Sequence, residues 1–238
     1  METKQINRRE FLTWLGISGL STLEAVRGVK HLIKKNTQQR IYNLRDDVKI
    51  AGHYSLIDNK PQVIYGAGVI LNGYYISMAH ISRSNFTKRV RTLFGIMETP
   101  LNPKNRHVKI GDNKLETLVE DKSTDVYIAR LDKKIPNFPC KPSNRINYGE
   151  RVYLIGNPGM AGFNIRQGYI SDLDGFGDAL GKAEYAFGVD FAFHFGDSGC
   201  PLVNDKFELL GLAKYDSFNK FGYVNKIELY LESIKKLK

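Results

Sequence analysis

From residue 62 onward the chain is dominated by short apolar runs that alternate with polar positions and are broken by glycine. The runs 63–71 and 74–79 flank Asn72-Gly73, and an Asn-Gly pair between two β-rich runs is the strongest short-range signal for a hairpin. Residues 124–131, 148–156, 167–171, 209–215 and 221–227 have the same texture and read as further strands. Two stretches break the pattern. Residues 100–106, with Pro100 and Pro103, read as an exposed turn leading to His107, and the stretch from Pro136 to Pro142 reads as a proline-punctuated connector. At the end, Ile227, Leu229, Tyr230, Leu231 and Ile234 recur at helical spacing with lysines after them, which predicts a terminal helix whose last turn opposes its own dipole. Upstream, residues 24–40 mix apolar and basic positions as a short amphipathic helix or linker would, so a domain boundary is expected near residue 45.

Composition narrows this picture to an all-β fold. The chain has 238 residues, 42% of them hydrophobic and 11% aromatic, enough for the core of one barrel- or sandwich-sized domain. The formal charge is +10, but nine basic residues against three acidic ones put +6 of it before residue 46. The body carries no stripe of basic and aromatic residues, so no nucleic-acid partner is expected. The basic segment 1–45 instead offers contact with an anionic membrane surface. Cys140 and Cys200 are the two cysteines, and both read as buried free thiols.

The candidate chemistry lies at three strand ends. Ser198, in Phe195-Gly196-Asp197-Ser198-Gly199-Cys200-Pro201, is framed by glycines that let the backbone aim consecutive N–H groups at one point, as acyl transfer requires of a site that holds a developing oxyanion. His80 falls just beyond an apolar strand, and Asp125 just before an alternating one. Each has a plainer reading, as a glycine turn, a structural histidine and a strand-entry acid. Their joint occurrence, in the order His, Asp, Ser at intervals of 45 and 73 residues, favours a catalytic set over three coincidences and departs from the Ser, Asp, His order of α/β-hydrolases. His31, His53 and His107 lack this context.

These segments resemble the trypsin-like, chymotrypsin-fold serine proteases. Residues 196–202 match the family's G-D-S-G-G-P-L except at Cys200, Ser77, Ala79 and His80 match its histidine segment, and Asp125 begins its Asp-hydrophobic-Ala pattern. Gly149, Val152, Gly156 and Pro158, the strand at 168–171 and Asp190 are similar to the Deg/HtrA branch. The resemblance spans about residues 60–235. It implies two packed antiparallel six-stranded β-barrels with the active site between them, a C-terminal helix, and an N-terminal helical extension. Residues 46–238 would be the protease domain, and no C-terminal PDZ-type module is expected. The implied activity is a serine endopeptidase acting through an acyl-enzyme, with His80, Asp125 and Ser198 as triad and the Gly196 and Ser198 N–H groups as oxyanion hole. The alternative is a weak or inactive protease-fold protein that binds peptides. Proteins or peptides are the implied partners, and no metal or cofactor is needed. Aligning on Ser198 puts Ala192 at the base of the specificity pocket, with Phe193, Ala213, Lys214 and Tyr215 around it. With no acid at the base, small or medium apolar side chains are expected there, unless a loop brings in Asp172, Asp174 or Asp178.

Two departures carry expectations of their own. If the Cys200 position needs a positive φ, its side chain is strained. Asp197 corresponds to the acid that secreted trypsins pair with a freshly cut amino terminus; no such cleavage sequence exists here, so it is expected to be solvated or to pair with a nearby cation. At the N-terminus, Arg8, Arg9, Phe11 and Leu12 resemble a twin-arginine export signal, although Asn7 and Thr13 depart from it and no convincing cleavage site follows. Export to the periplasm or outside the cell is the expectation, with a cytoplasmic protein as the alternative. The apolar run at 13–23 is too short to span a bilayer. Nothing in the sequence bears on oligomeric state.

Overall fold

The computed structural model describes residues 35–57, 60–83, 87–92, 95–100, 104–173, 185–214 and 222–237. The chain divides into two compact units, at Arg40 and Ile41. Arg8, Arg9, Phe11 and Leu12, the residues that resemble an export signal, lie outside the described residues, as do His31, Asp174, Asp178 and Tyr215. Residues 35–43 are helical, and Ile41, almost fully buried, is part of the core of the second unit.

That unit is built on two closed barrels. The first comprises β1 (Lys49–Ile57), β2 (Lys60–Leu71), β3 (Tyr74–Met78), β6 (Lys104–Ile110), β7 (Asn113–Asp121) and β8 (Val126–Leu131), joined in the order β1-β2-β3-β8-β7-β6. A separate hairpin, β4 (Thr87–Thr92) with β5 (Gly95–Pro100), is inserted between its third and fourth members in the chain. The second comprises β10 (Arg151–Gly156), β11 (Asn164–Asp172), β12 (Ala186–Val189), β13 (Pro201–Asn204), β14 (Glu208–Lys214) and β15 (Gly222–Lys226). Its ring β13-β10-β11-β12-β15-β14 closes through pairing of β13 with β14, and the short β9 (Lys141–Pro142) adds to β14 in parallel. This is the chymotrypsin-like architecture of two antiparallel six-stranded barrels.

The expected hairpin joins β2 to β3, with Asn72 and Gly73 both at positive φ, 52° and 80°, as a type I′ turn requires. β3 does not alternate in burial: Tyr75 to Met78 are all buried. The reason is that each of its faces meets a core. Tyr75 packs with Ile70, Tyr127 and Ala129 in one cluster, while Ile76 and Met78 join Val126, Ile128 and the residues of the second barrel in the other. A strand covered on both sides reads as a continuous apolar run, which is how 74–79 looks in the sequence. Two short helices complete the site's surroundings: α1 (Ala79–Arg83) follows β3, and α2 (Ile227–Lys235) follows β15. Ile227, Leu229, Tyr230 and Ile234 of α2 are buried, and the Tyr230 hydroxyl donates to Met78 Sδ at 3.1 Å. No helix among the described residues is long and apolar enough to cross a membrane.

One expectation fails. Residues 104–110 are not an exposed turn but strand β6, paired with both β1 and β7. Val108 is buried whereas Arg106 is exposed and His107 half-buried, so the strand shows one apolar anchor amid polar side chains and is hidden behind two prolines.

Candidate active site

Each candidate catalytic side chain sits where a barrel strand starts or stops. His80 is the second residue of α1, which follows β3 directly, Asp125 precedes β8, and Ser198 lies in the loop entering β13. β3 and β8 are neighbours, with Met78 opposite Val126, so residues 45 apart in sequence begin side by side. Asp125 adopts φ 58°, a left-handed conformation that Asp tolerates better than most side chains. It is pinned there from both ends: its carbonyl accepts the Ala79 N–H at 3.0 Å, and its Oδ1 accepts the His80 N–H at 2.7 Å.

The side chains then form a line. His80 Nδ1 lies 2.8 Å from Asp125 Oδ2, and His80 Nε2 lies 2.8 Å from Ser198 Oγ. With Nδ1 carrying the proton toward the carboxylate, Nε2 is left to accept the serine hydroxyl. Asp125 is almost buried, whereas the imidazole is 42% exposed and therefore reachable from solvent. Burial pushes the Asp125 carboxyl up, but the hydrogen bonds and charge of His80, together with the Lys214 ammonium, outweigh it and hold the group below the usual carboxylate range.

Around Ser198, the positive φ values fall at Gly196 (95°) and Gly199 (82°) and not at Cys200. The feared strain at Cys200 is absent; the residue is fully buried, and burial raises its thiol pKa far above the ordinary range. The glycines are needed where they stand. A Cβ on Gly196 would lie 2.3 Å from the Asn157 carbonyl oxygen, and one on Gly199 would lie 1.9 Å from that of Ala67, on the first barrel. The Phe195 carbonyl accepts the Gly159 N–H at 2.6 Å. In a trans peptide N–H and C=O point in opposite directions, so the Gly196 N–H points away from that contact, and none of the described residues accepts it.

Asp197 has a cation after all. Its carboxylate is fully buried and meets Arg166 Nη2, from β11, at 2.5 Å. It also accepts the Asn157 N–H at 3.1 Å and the His194 N–H at 2.5 Å. Arg166 Nη1 donates to the Ala192 carbonyl at 3.1 Å, so one guanidinium ties two points of the loop that carries Ser198. No local pattern marks Arg166; the signal available in the sequence is the acid inside a buried motif, which demands a partner somewhere.

Of the five residues expected around a specificity pocket, Ala192 is half-buried on that loop. Phe193 is buried, with its ring 5.6 Å from that of Phe191. Ala213 is buried on β14, exchanging backbone hydrogen bonds of 2.8 Å with Gly199 and Cys200. Lys214 turns its ammonium to Asp125 Oδ2, at 3.3 Å. Asp190 accepts the N–H of Tyr169, within the neighbouring strand β11, at 2.8 Å. Among the described residues no cluster of three His, Cys, Asp or Glu side chains converges as a metal site would need.

This arrangement agrees with what the chain is similar to. Residues 66–212 match the family model described as "Trypsin-like peptidase domain". A protein of Buchnera aphidicola subsp. Baizongia pistaciae, named "Probable periplasmic serine endoprotease DegP-like", is 33% identical over 153 residues, 62% of this chain and 30% of that protein. "Serine endoprotease DegS" of Haemophilus influenzae is 28% identical over 96 residues, 39% of this chain and 28% of the relative. The chain thus spans about a third of the length of these relatives. Among solved structures, the HtrA-type protease AlgW with a tripeptide superposes with a TM-score of 0.57 at 21% identity, covering 79% of this chain and 60% of that one, which establishes the likeness of fold. The family model takes in more than half of the chain: the chain belongs to the trypsin-like peptidases.

Proposed function

We propose that the chain is a serine endopeptidase. The observation that carries this reading is a single imidazole spanning a buried carboxylate and a serine hydroxyl at 2.8 Å on each side. Ser198 Oγ attacks a peptide carbonyl while His80 Nε2 takes its proton, which then passes to the leaving amine; Asp125 holds the imidazole tautomer and stabilises the imidazolium. The acyl-enzyme is released by water activated through the same histidine. The Gly196 and Ser198 N–H groups receive the oxyanion, a contact worth about 3 kcal/mol per donor in the transition state. With Asp197 already paired internally to Arg166, the nucleophile loop is held without a new amino terminus, so the domain at 46–238 acts without prior cleavage. A fluorophosphonate probe should label the wild type and not Ser198→Ala, and His80→Ala should lose labelling as well. Labelling of the serine variant at the wild-type rate would sink the assignment.

Two finer parts of the reading follow. The pocket about Ala192 and Ala213 takes small or medium apolar side chains, since burying one stabilises binding by about 1–3 kcal/mol while a cation would enter without a counter-charge. Cleavage-site profiling in a peptide library, dominated by Arg or Lys before the cut, would refute this. The basic segment 1–45 directs export, in keeping with the periplasmic DegP-like relative. Replacing Arg8 and Arg9 by lysine should trap a reporter fusion in the cytoplasm, and equal export of both fusions would rule out the twin-arginine route.

A further inference from the structure

The Asp125 carboxylate serves a second cation besides His80. Lys214 Nζ approaches Oδ2 at 3.3 Å, and this is the oxygen that His80 Nδ1 reaches at 2.8 Å. Oδ1 is occupied by the His80 N–H. The lysine side chain is only 20% exposed and the aspartate 8%, so the pair is poorly screened by water. The two distances cap the separation between the ammonium and the imidazole Nδ1 at about 6 Å.

Among the described residues, the lysine makes no other ion pair. From α2, Tyr230 faces Asp125, but its phenol is fully buried, and desolvation first, then the aspartate charge, keep it protonated and neutral. From β15, Asn225 donates to the Thr124 carbonyl at 2.8 Å and is uncharged. On the far side of the imidazole stands the Ser198 hydroxyl. Among the described residues the local charges are therefore one carboxylate, one ammonium and, during attack, one imidazolium.

We propose that Lys214 is a positioning residue of the triad, drawing part of the Asp125 charge to itself and so weakening the stabilisation that the carboxylate gives to the His80 imidazolium. This rests on the endopeptidase reading. The consequence is a trade: the histidine stays unprotonated, and hence able to act as a base, further into acid than an aspartate reserved for it would allow, while each attack gains less from the carboxylate. A unit charge within about 6 Å in a partly buried setting shifts such an equilibrium by on the order of 1 pH unit.

The test compares wild type, Lys214→Met, which keeps the stem and removes the charge, and Lys214→Arg, which keeps the charge. The His80 ring is titrated by NMR, its resonance identified by its loss in His80→Ala, and the acid limb of kcat/KM is recorded on one peptide substrate. Lys214→Met should move both the ring titration and the acid limb upward by about 1 pH unit, and Lys214→Arg should leave both near wild type. A ring titration in Lys214→Met that coincides with wild type overturns the proposal. The NMR arm needs no turnover: a chain that hydrolyses nothing defeats the endopeptidase reading, while the ring titration still decides whether Lys214 acts on His80.

Discussion

Arg166→Met removes the cation that, among the described residues, pairs with the fully buried Asp197 carboxylate. Methionine keeps most of the side-chain volume, so the change is mainly one of charge. Breaking a buried ion pair and stranding one partner costs about 3–5 kcal/mol. Here the stranded carboxylate keeps the N–H groups of Asn157 and His194, which places the expected loss near the lower end, about 3 kcal/mol. For a domain of this size each kcal/mol lowers Tm by roughly 2–4 °C, giving a fall of roughly 6–12 °C. The cheapest relief is for Asp197 to swing toward water, and Ser198 and Gly196 are its chain neighbours, so the proposed oxyanion donors go with it. Loss of one donor lowers kcat on the order of 10²–10³-fold. Thermal melts and turnover of a peptide ester read the two effects separately. Arg166→Met with Asp197→Asn should recover part of the stability, because no buried charge is left, but not all, because one amide oxygen cannot serve both N–H groups. An Arg166→Met variant melting within about 2 °C of wild type and turning over at the same rate would show that the ion pair does not hold the loop.

Two further predictions concern the fold. Gly199→Ala places a Cβ 1.9 Å from the Ala67 carbonyl oxygen at φ 82°, and should cost about 2–4 kcal/mol; Gly149→Ala, at φ 74° with open space around it, should cost only about 1 kcal/mol, and equal melting temperatures for the two would refute the steric reading. His53 is buried with neither ring nitrogen hydrogen-bonded among the described residues, and burial, aided by the Arg106 charge, lowers its pKa from 6.5 to about 4. The unfolded chain therefore takes up a proton that the folded one refuses as pH falls from 6.5 toward 4, so about 3 kcal/mol of stability is lost across that window. In His53→Phe the urea midpoint should fall much less between pH 7 and pH 4.5, and an unchanged fall would place the acid sensitivity elsewhere.

What the sequence made legible, and what it did not, divides by the distance over which the cause acts. The β2–β3 hairpin and helix α2 are written in contiguous residues: an Asn-Gly pair with both φ positive, and apolar residues at helical spacing. The glycines at 196 and 199 are equally local, since a sharp loop needs them wherever it is. β6 failed because Val108 is its one buried side chain among the described ones, and two upstream prolines outweighed that single anchor. The hairpin β4–β5 gave no alternation clear enough to read. Arg166 could not have been found by pattern, and Lys214, expected around the specificity pocket, could not have been placed beside Asp125, as each acts through a contact made only when strands far apart in the chain are brought together.

Those two cations explain why the site tolerates its own construction. A triad needs a carboxylate that is buried enough to feel the imidazole and still charged, and the loop beside it holds a second buried carboxylate one residue from the nucleophile. Two uncompensated buried anions so near a developing oxyanion would oppose catalysis. Arg166 reaches Asp197 from β11 and Lys214 reaches Asp125 from β14, each strand belonging to the second barrel. His80 and Asp125, in contrast, are fixed to β3 and β8 of the first. In the proposed mechanism the second barrel thus supplies the nucleophile and the counter-charges and the first the base and its orienting acid, and the Gly199 to Ala67 approach is where the two must fit. A change that separates the barrels by even a fraction of an ångström would loosen the His80 to Ser198 contact and the Lys214 to Asp125 contact together, which makes their joint loss, and not the loss of either alone, the mark of a disturbed barrel interface.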